Sequence, residues 1–145
     1  MIKTKVSIEI ERPVSELFAF VTEVRNFPLW FGGIIRESKP ETAGACAVGT
    51  KFTQTNSFLG RTFQTHFTVT EYELDKLFCV STHWGPIPFA GCFHFEPTNG
   101  GTLLTDQHGI DTGGFFGLVG SLLVGRLKQQ AQTNLANLKR LMEAK

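Results

Sequence analysis

Clusters of like charge are missing from this sequence. Its 14 Lys and Arg against 13 Asp and Glu leave a formal net charge of +1, and neither sign gathers into a run or a tail. Phosphate backbones are bound by a concentrated basic face, so no nucleic-acid partner is expected. Long apolar runs are missing too. The longest, Phe115 to Val124, is broken by Gly117, Gly120 and Ser121. A membrane span takes about 20 apolar residues, so no stable membrane insertion is expected. The opening MIKTKVSIEIERP has no apolar core ahead of a cleavage site. It reads as a strand and not as a signal peptide, and a cytoplasmic location is expected. Cysteine is scarce. Cys46, Cys79 and Cys92 have no metal-type spacing and are expected to be reduced thiols. The chain also lacks a phosphate loop, a dinucleotide fingerprint, HExxH, CxxC and a nucleophile elbow. Its four histidines make no convincing zinc site. No cofactor and no metal is expected.

What the sequence does hold is phenylalanine. There are 14 Phe but a single Tyr among 145 residues. Phe fills volume without a polar tip, so much apolar surface must be placed in a core or around a cavity. A chain of this length suits one domain, here residues 1–145. It can bury roughly 70% of its unfolded surface without help from a metal or a disulfide.

The pattern along the chain changes twice. Residues 3–11 alternate, with Val6, Ile8 and Ile10 on one face and Lys5, Ser7, Glu9 and Glu11 on the other. That is a half-buried strand. Pro13 followed by Leu17, Phe18, Phe20, Val21 and Val24 predicts a short helix at about 13–23. Asn26-Phe27-Pro28 ends it. A second short helix or turn carries Leu29, Trp30 and Phe31 and stops at Gly32-Gly33. Strands are predicted at 34–39, 49–58, 61–73, 76–84, 87–96 and 102–110, joined by short turns, so the sheet should be antiparallel. Beyond Gly113-Gly114, Leu118, Leu122, Leu123, Leu127, Ala131, Leu135, Leu138 and Met142 recur at helical spacing. This is a long amphipathic helix that must cross the domain. The fold expected is α+β: a curved seven-stranded antiparallel sheet gripping the C-terminal helix, with two short helices between the first two strands.

Four segments carry a family resemblance. They are Ile10-Glu11-Arg12-Pro13-Val14 with Phe18-Ala19-Phe20-Val21-Thr22; Asn26-Phe27-Pro28-Leu29-Trp30; Phe95-Glu96-Pro97-Thr98-Asn99-Gly100-Gly101-Thr102; and Leu135-Ala136-Asn137-Leu138-Lys139. In this order they resemble the START-like (SRPBCC) superfamily, in its polyketide cyclase/dehydrase and lipid-transport branch with the helix-grip fold. The resemblance implies a hydrophobic ligand cavity. It does not choose between carriers, receptors and aromatase/cyclases, because fold transfers better than function.

Turn positions suggest a strand register, and register decides which face each side chain takes. Counting from the turns pairs Phe95 with Leu104, Phe93 with Asp106 and Gly91 with His108. It also pairs Phe78 with Phe93, Val80 with Gly91, Val69 with Val80 and Phe67 with Thr82. One face then collects Phe63, Thr65, Phe67, Val69, Phe78, Val80, Phe89, Phe93, Phe95 and Leu104, and is taken as concave. His66, His83 and His94 fall on the other face, and only His108 points inward. Gly91 is the place where a bulge would disturb this count.

The candidate site follows from that sorting. Asp106 and His108 are two residues apart on one strand face, about 6.6 Å, and could do acid–base work or simply sit at the pocket mouth. Gln54 and Asn56 face inward if Phe52 does, where amides would orient a ligand; a register shifted by one puts them on the surface. Trp30 either closes one end of the cavity or packs in the core. Phe116 and Leu123, with the surrounding glycines, suit a portal or close packing, and Phe115 and Phe116 suit transient membrane contact. Ligand-lining residues are thus Trp30, Phe52, Gln54, Asn56, Phe67, Val69, Phe78, Val80, Phe93, Phe95, Leu104, Phe116 and Leu123. The expected function is binding of a small hydrophobic molecule such as a lipid, polyketide or aromatic metabolite, by a monomer or homodimer. The alternative is a cyclase/dehydratase using Asp106 and His108.

Overall fold

The computed structural model describes residues 2–58, 60–85, 88–110 and 120–145, with only the backbone of Ile2, Phe58 and 120–123. The alternating start becomes β1 (Ile2–Ile10). Two short helices follow, α1 (Val14–Thr22) and α2 (Phe27–Trp30), joined by a turn of 3-10 helix at Val24–Asn26. Then come β2 (Ile35–Pro40), β3 (Lys51–Phe58), β4 (Arg61–Glu73), β5 (Leu77–Trp84), β6 (Phe89–Pro97) and β7 (Thr102–Ile110). The chain closes with α3 (Gly120–Glu143). The strands form one antiparallel sheet of seven in the order β1-β7-β6-β5-β4-β3-β2. The expected α+β helix-grip architecture is what the chain adopts.

α3 has 24 residues, about 36 Å of helix at 1.5 Å per residue. Ala131, Asn134, Leu135, Leu138 and Met142 form its buried stripe, and Arg126 is exposed. The helix lies against β1. Its last turn is fastened there by polar contacts. Arg12 Nε donates to the Met142 carbonyl at 2.6 Å, and Lys139 Nζ donates to the Glu9 carbonyl at 2.7 Å. Glu143 Oε2 accepts from the Glu11 backbone N–H at 2.9 Å and from Lys139 at 2.6 Å. The β6–β7 turn closes onto the same corner. A Cβ on Gly101 would collide with the Ile10 carbonyl oxygen, so no larger residue fits.

The register matches the sequence count at every pair given above that involves β5, β6 or β7. The bulges lie elsewhere. The β4–β5 register shifts between Val69 and Glu71, and again between His66 and Phe67. The first shift leaves Thr70 unpaired and sets Tyr72 opposite Phe78, so Tyr72 joins the concave face. Its ring meets Phe18 and Phe78 edge-on, at 5.3 and 6.4 Å between centroids.

The cysteine expectation is corrected. Cys79 and Cys92 are bonded as a disulfide, and only Cys46 is free. The two stand directly opposite each other on β5 and β6, and opposite residues on neighbouring strands bring their Cβ atoms within about 5 Å. Spacing along the chain could not reveal this pairing across the sheet. Such a bond persists in an oxidising compartment, which sets it against the cytoplasmic expectation. No helix among the described residues is long and apolar enough to cross a membrane.

Leu138 is fully buried in the helix stripe. Leu138→Ala should cost about 2–5 kcal/mol in denaturant unfolding, because the site cannot fully collapse on the cavity. The Glu11 backbone N–H and then Lys139 hold the Glu143 carboxyl below its ordinary range. A carboxylate whose folded pKa is lowered stabilises above its unfolded pKa and stops doing so as pH falls through the folded value. Glu143→Gln should therefore lower Tm at pH 7, and the gap from wild type should close as the pH drops below the ordinary carboxylate range. A gap independent of pH would mean that the carboxylate charge contributes nothing.

Candidate functional site

The concave face is sorted by position along the strands. At the end near Ile10, Thr102 and Pro97 it is closed: Ile10, Leu17, Phe18, Phe95 and Leu104 are buried against one another. Phe18 of α1 packs edge-on to Phe95 with centroids 5.0 Å apart. Toward the other end, where Ile2, Ile110 and Phe89 meet across β1, β7 and β6, exposure rises. Phe63, Val80, Phe89 and His108 are only half-buried there. Phe52, Phe67, Val69, Phe78 and Phe93 lie between the two ends and are buried. Phe52 and Phe67 stack at 5.1 Å.

Polar side chains gather at the half-buried end. Thr4 stands opposite His108 on β1 and β7, and Gly91 stands opposite it on β6. Asp106 is 6% exposed. Its Oδ1 accepts from His108 Nδ1 at 2.9 Å. This is closer than the strand spacing alone implies, because the two side chains lean together. The carboxylate fixes the tautomer, leaving Nε2 unprotonated in the neutral ring. The Thr4 hydroxyl lies 3.1 Å from Nε2 and 3.4 Å from Nδ1, so it sits beside the ring and not along the Nε2 lone pair. The Phe89 ring covers the imidazole at 5.3 Å between centroids. The site is thus a cluster of buried Asp106 and Thr4 around half-buried His108, roofed by an aromatic ring.

A second polar group faces inward across the sheet. Phe52, Gln54 and Asn56 pair with Phe67, Thr65 and Phe63, and all three are buried. The inward alternative for Gln54 and Asn56 is the one realised. Asn56 Nδ2 donates to Thr65 Oγ1 at 3.1 Å. Thr65 was grouped with the concave face but not with the ligand-lining residues, and Thr4 was in neither group. A strand alternation that reads Thr4-Val6-Ile8-Ile10 as one face would have found Thr4.

Trp30 is 0% exposed. Its ring lies 4.3 Å from Phe31, 5.7 Å from Phe93 and 6.0 Å from Phe27, and Asn137 of α3 donates to its backbone carbonyl at 3.3 Å. It is core, wedged between α2, α3 and β6. Yet its Nε1 has no hydrogen-bond acceptor among the described residues, and an unmatched buried N–H costs about 1–3 kcal/mol. Phe116 lies outside the described residues, as does the side chain of Leu123, so the portal they were to form is not described.

Two open depressions border the sheet. One of about 440 Å³ lies between α1 and the β4–β5 turn and reaches Phe18, Cys46 and Tyr72. Burial raises the Cys46 thiol and the Tyr72 hydroxyl above their ordinary pKa values, so both are neutral near pH 7. The other, of about 940 Å³, is on the outer face beside His83 and Trp84.

A family model described as polyketide cyclase/dehydrase and lipid transport matches residues 1–143. No curated protein sequence matches the chain. Among solved structures it is similar to TTHA0849 from Thermus thermophilus, with a TM-score of 0.81 at 12% identity over 98% of this chain and 97% of that one. It is similar to DR_A0006 from Deinococcus radiodurans, with a TM-score of 0.74 at 17% identity over 99% and 98%. It also resembles part of StfQ, a di-domain ARO/CYC from the steffimycin biosynthetic pathway, with a TM-score of 0.78 at 15% identity over 99% of this chain and 51% of that one. These likenesses concern the fold.

Gly91 makes room for the polar corner. A Cβ there would lie 2.9 Å from His108 Cβ and 3.3 Å from the Phe89 ring. Gly91→Ala should cost about 1–3 kcal/mol as these groups are pushed aside, and should shift the imidazole NMR signals of His108. An unchanged His108 spectrum would show that the corner has slack.

Proposed function

The chain belongs to the polyketide cyclase/dehydrase and lipid transport family, and from that premise we propose that it binds a small, largely apolar molecule with a polar end. The molecule lies between the concave sheet face and α3, and its polar end meets Thr4, His108 and Asp106. One observation carries this reading: an aromatic concave face whose buried polar groups gather at its half-exposed end. Such a surface holds an apolar body by burial and orients it by a few placed polar groups.

A cyclase-type reaction is the second reading, favoured by the Asp106–His108 hydrogen bond of 2.9 Å. An imidazole so oriented is a competent general base. The likeness to StfQ, a di-domain ARO/CYC, points the same way. The Thr4 hydroxyl, 3.1 Å from Nε2 and 3.4 Å from Nδ1, lies beside the ring and off the Nε2 lone pair. Binding is the reading of choice because the inner face is mainly apolar and aromatic.

Native mass spectrometry of protein purified from its own host tests it. A retained mass of a lipid, polyketide or aromatic metabolite is expected. An empty protein, unable to take up any compound from matched lipid extracts, would overturn the proposal. His108→Ala separates the two readings. Binding should weaken by about tenfold at most, the scale of one hydrogen bond. A cyclase should instead lose about 100-fold or more in turnover.

A further inference from the structure

The outer face of the sheet carries a second cluster that the ligand site does not use. His66 on β4, His83 on β5 and Glu41, just past the end of β2, bring one ligand atom each within 4.8 Å of one another. His66 Nδ1 lies 2.6 Å from Glu41 Oε1. The Thr53 hydroxyl also bonds Glu41 and lies 3.0 Å from His66 Nδ1. Thr68 Oγ1 lies 2.8 Å from His83 Nδ1 and fixes that ring.

Each member is placed by backbone geometry. The Glu41 N–H donates to the Lys51 carbonyl at 2.7 Å, which turns the chain back over β3. His66 pairs with Thr53 across β3 and β4. His83 is the extra residue of the β4–β5 bulge, since Phe67 pairs with Thr82 and His66 with Trp84. Bulges re-aim side chains. In a regular strand His83 and Trp84 would point to opposite faces. Here Trp84 stands opposite His66, while His83 bonds Thr68 on the same outer side.

We propose that Glu41, His66 and His83 bind a first-row divalent metal ion of the Zn²⁺ class. Two imidazoles and one carboxylate suit such an ion, with the remaining position open to water or to a ligand group. Ca²⁺ and Mg²⁺ prefer an all-oxygen shell and are not favoured. The Thr53 hydroxyl donates to Glu41 and orients its carboxylate toward His66. The cation takes the place of the hydrogen between His66 Nδ1 and Glu41, and in the neutral ring that hydrogen moves to Nε2. The hydroxyls of Thr53 and Thr68 are the outer shell that orients the ligands. The open side faces the depression lined by Thr55, Gln64, His83 and Trp84.

Trp84 gives the test its readout. Its ring centroid is 5.2 Å from that of His66, and it is 63% exposed where Trp30 is 0% exposed. Tag-free protein with its disulfide intact is treated with a chelator, then titrated with Zn²⁺ by calorimetry and with Ni²⁺ by tryptophan fluorescence. One equivalent of Zn²⁺ should bind with micromolar affinity, and Ni²⁺ should quench the Trp84 share of the emission. Trp84→Phe should keep the Zn²⁺ affinity and lose the quenching. His66→Ala and His83→Ala should each weaken Zn²⁺ by about tenfold or more. His94→Ala, on the same face outside the cluster, should change nothing. Circular dichroism checks the folding of each variant, and exposed His83 keeps the test open if His66→Ala does not fold. Binding that survives both histidine substitutions, or no binding in the micromolar range, overturns the proposal.

Discussion

A curved sheet with an apolar inner face needs a cover, and among the described elements only α3 is long enough to supply it. The helix is locked at one end. Arg12, Lys139 and Glu143 tie its last turn to the end of β1, and the Gly101 turn closes on the same corner. At that end the inner face is dry core. The strands run on from there to Phe89, His108 and Ile110, where burial is incomplete. An inner face clamped at one end and half-covered at the other has a direction. Apolar residues hold its depth, and polar residues are tolerated where water or a ligand can reach them. The position of Asp106, His108 and Thr4 follows from where α3 is fastened.

Most of the fold was legible because its signals are local. Alternation marked β1, Pro13 opened α1, and the glycine-rich turns set the register of β5, β6 and β7. That register carried the inward assignment of His108 and Asp106. What escaped were features made by two strands meeting out of step. The bulge at Thr70 brings Tyr72 inside, and nothing in the local pattern distinguishes it from a regular strand. The second bulge changes the partner of His66 from His83 to Trp84. The Cys79–Cys92 bond was hidden for a similar reason. The two cysteines are 13 residues apart along the chain, and only the β5–β6 register makes them neighbours.

The candidate site was half legible. Asp106 and His108 could be set side by side from the sequence, but the choice between direct contact and contact through water depends on rotamers that no spacing rule supplies. Thr4 was missed because β1 was read for its isoleucines and valine. Gln54 and Asn56 depended on the register of the Phe58–Gly60 turn, and the β3–β4 pairing puts them inside.

Hydrogen bonding explains how the polar corner is tolerated. Asp106 accepts from His108 at 2.9 Å, and the Thr4 hydroxyl lies against the same ring, 3.1 Å from Nε2 and 3.4 Å from Nδ1. Pairing of this kind removes much of the cost of burying polar groups among apolar ones. Elsewhere in the core that cost is not met: Trp30 Nε1 and Ser38 Oγ are buried with no partner among the described residues. The indole N–H can only donate, whereas the hydroxyl can donate and accept, so the unmatched groups of this core are of both kinds.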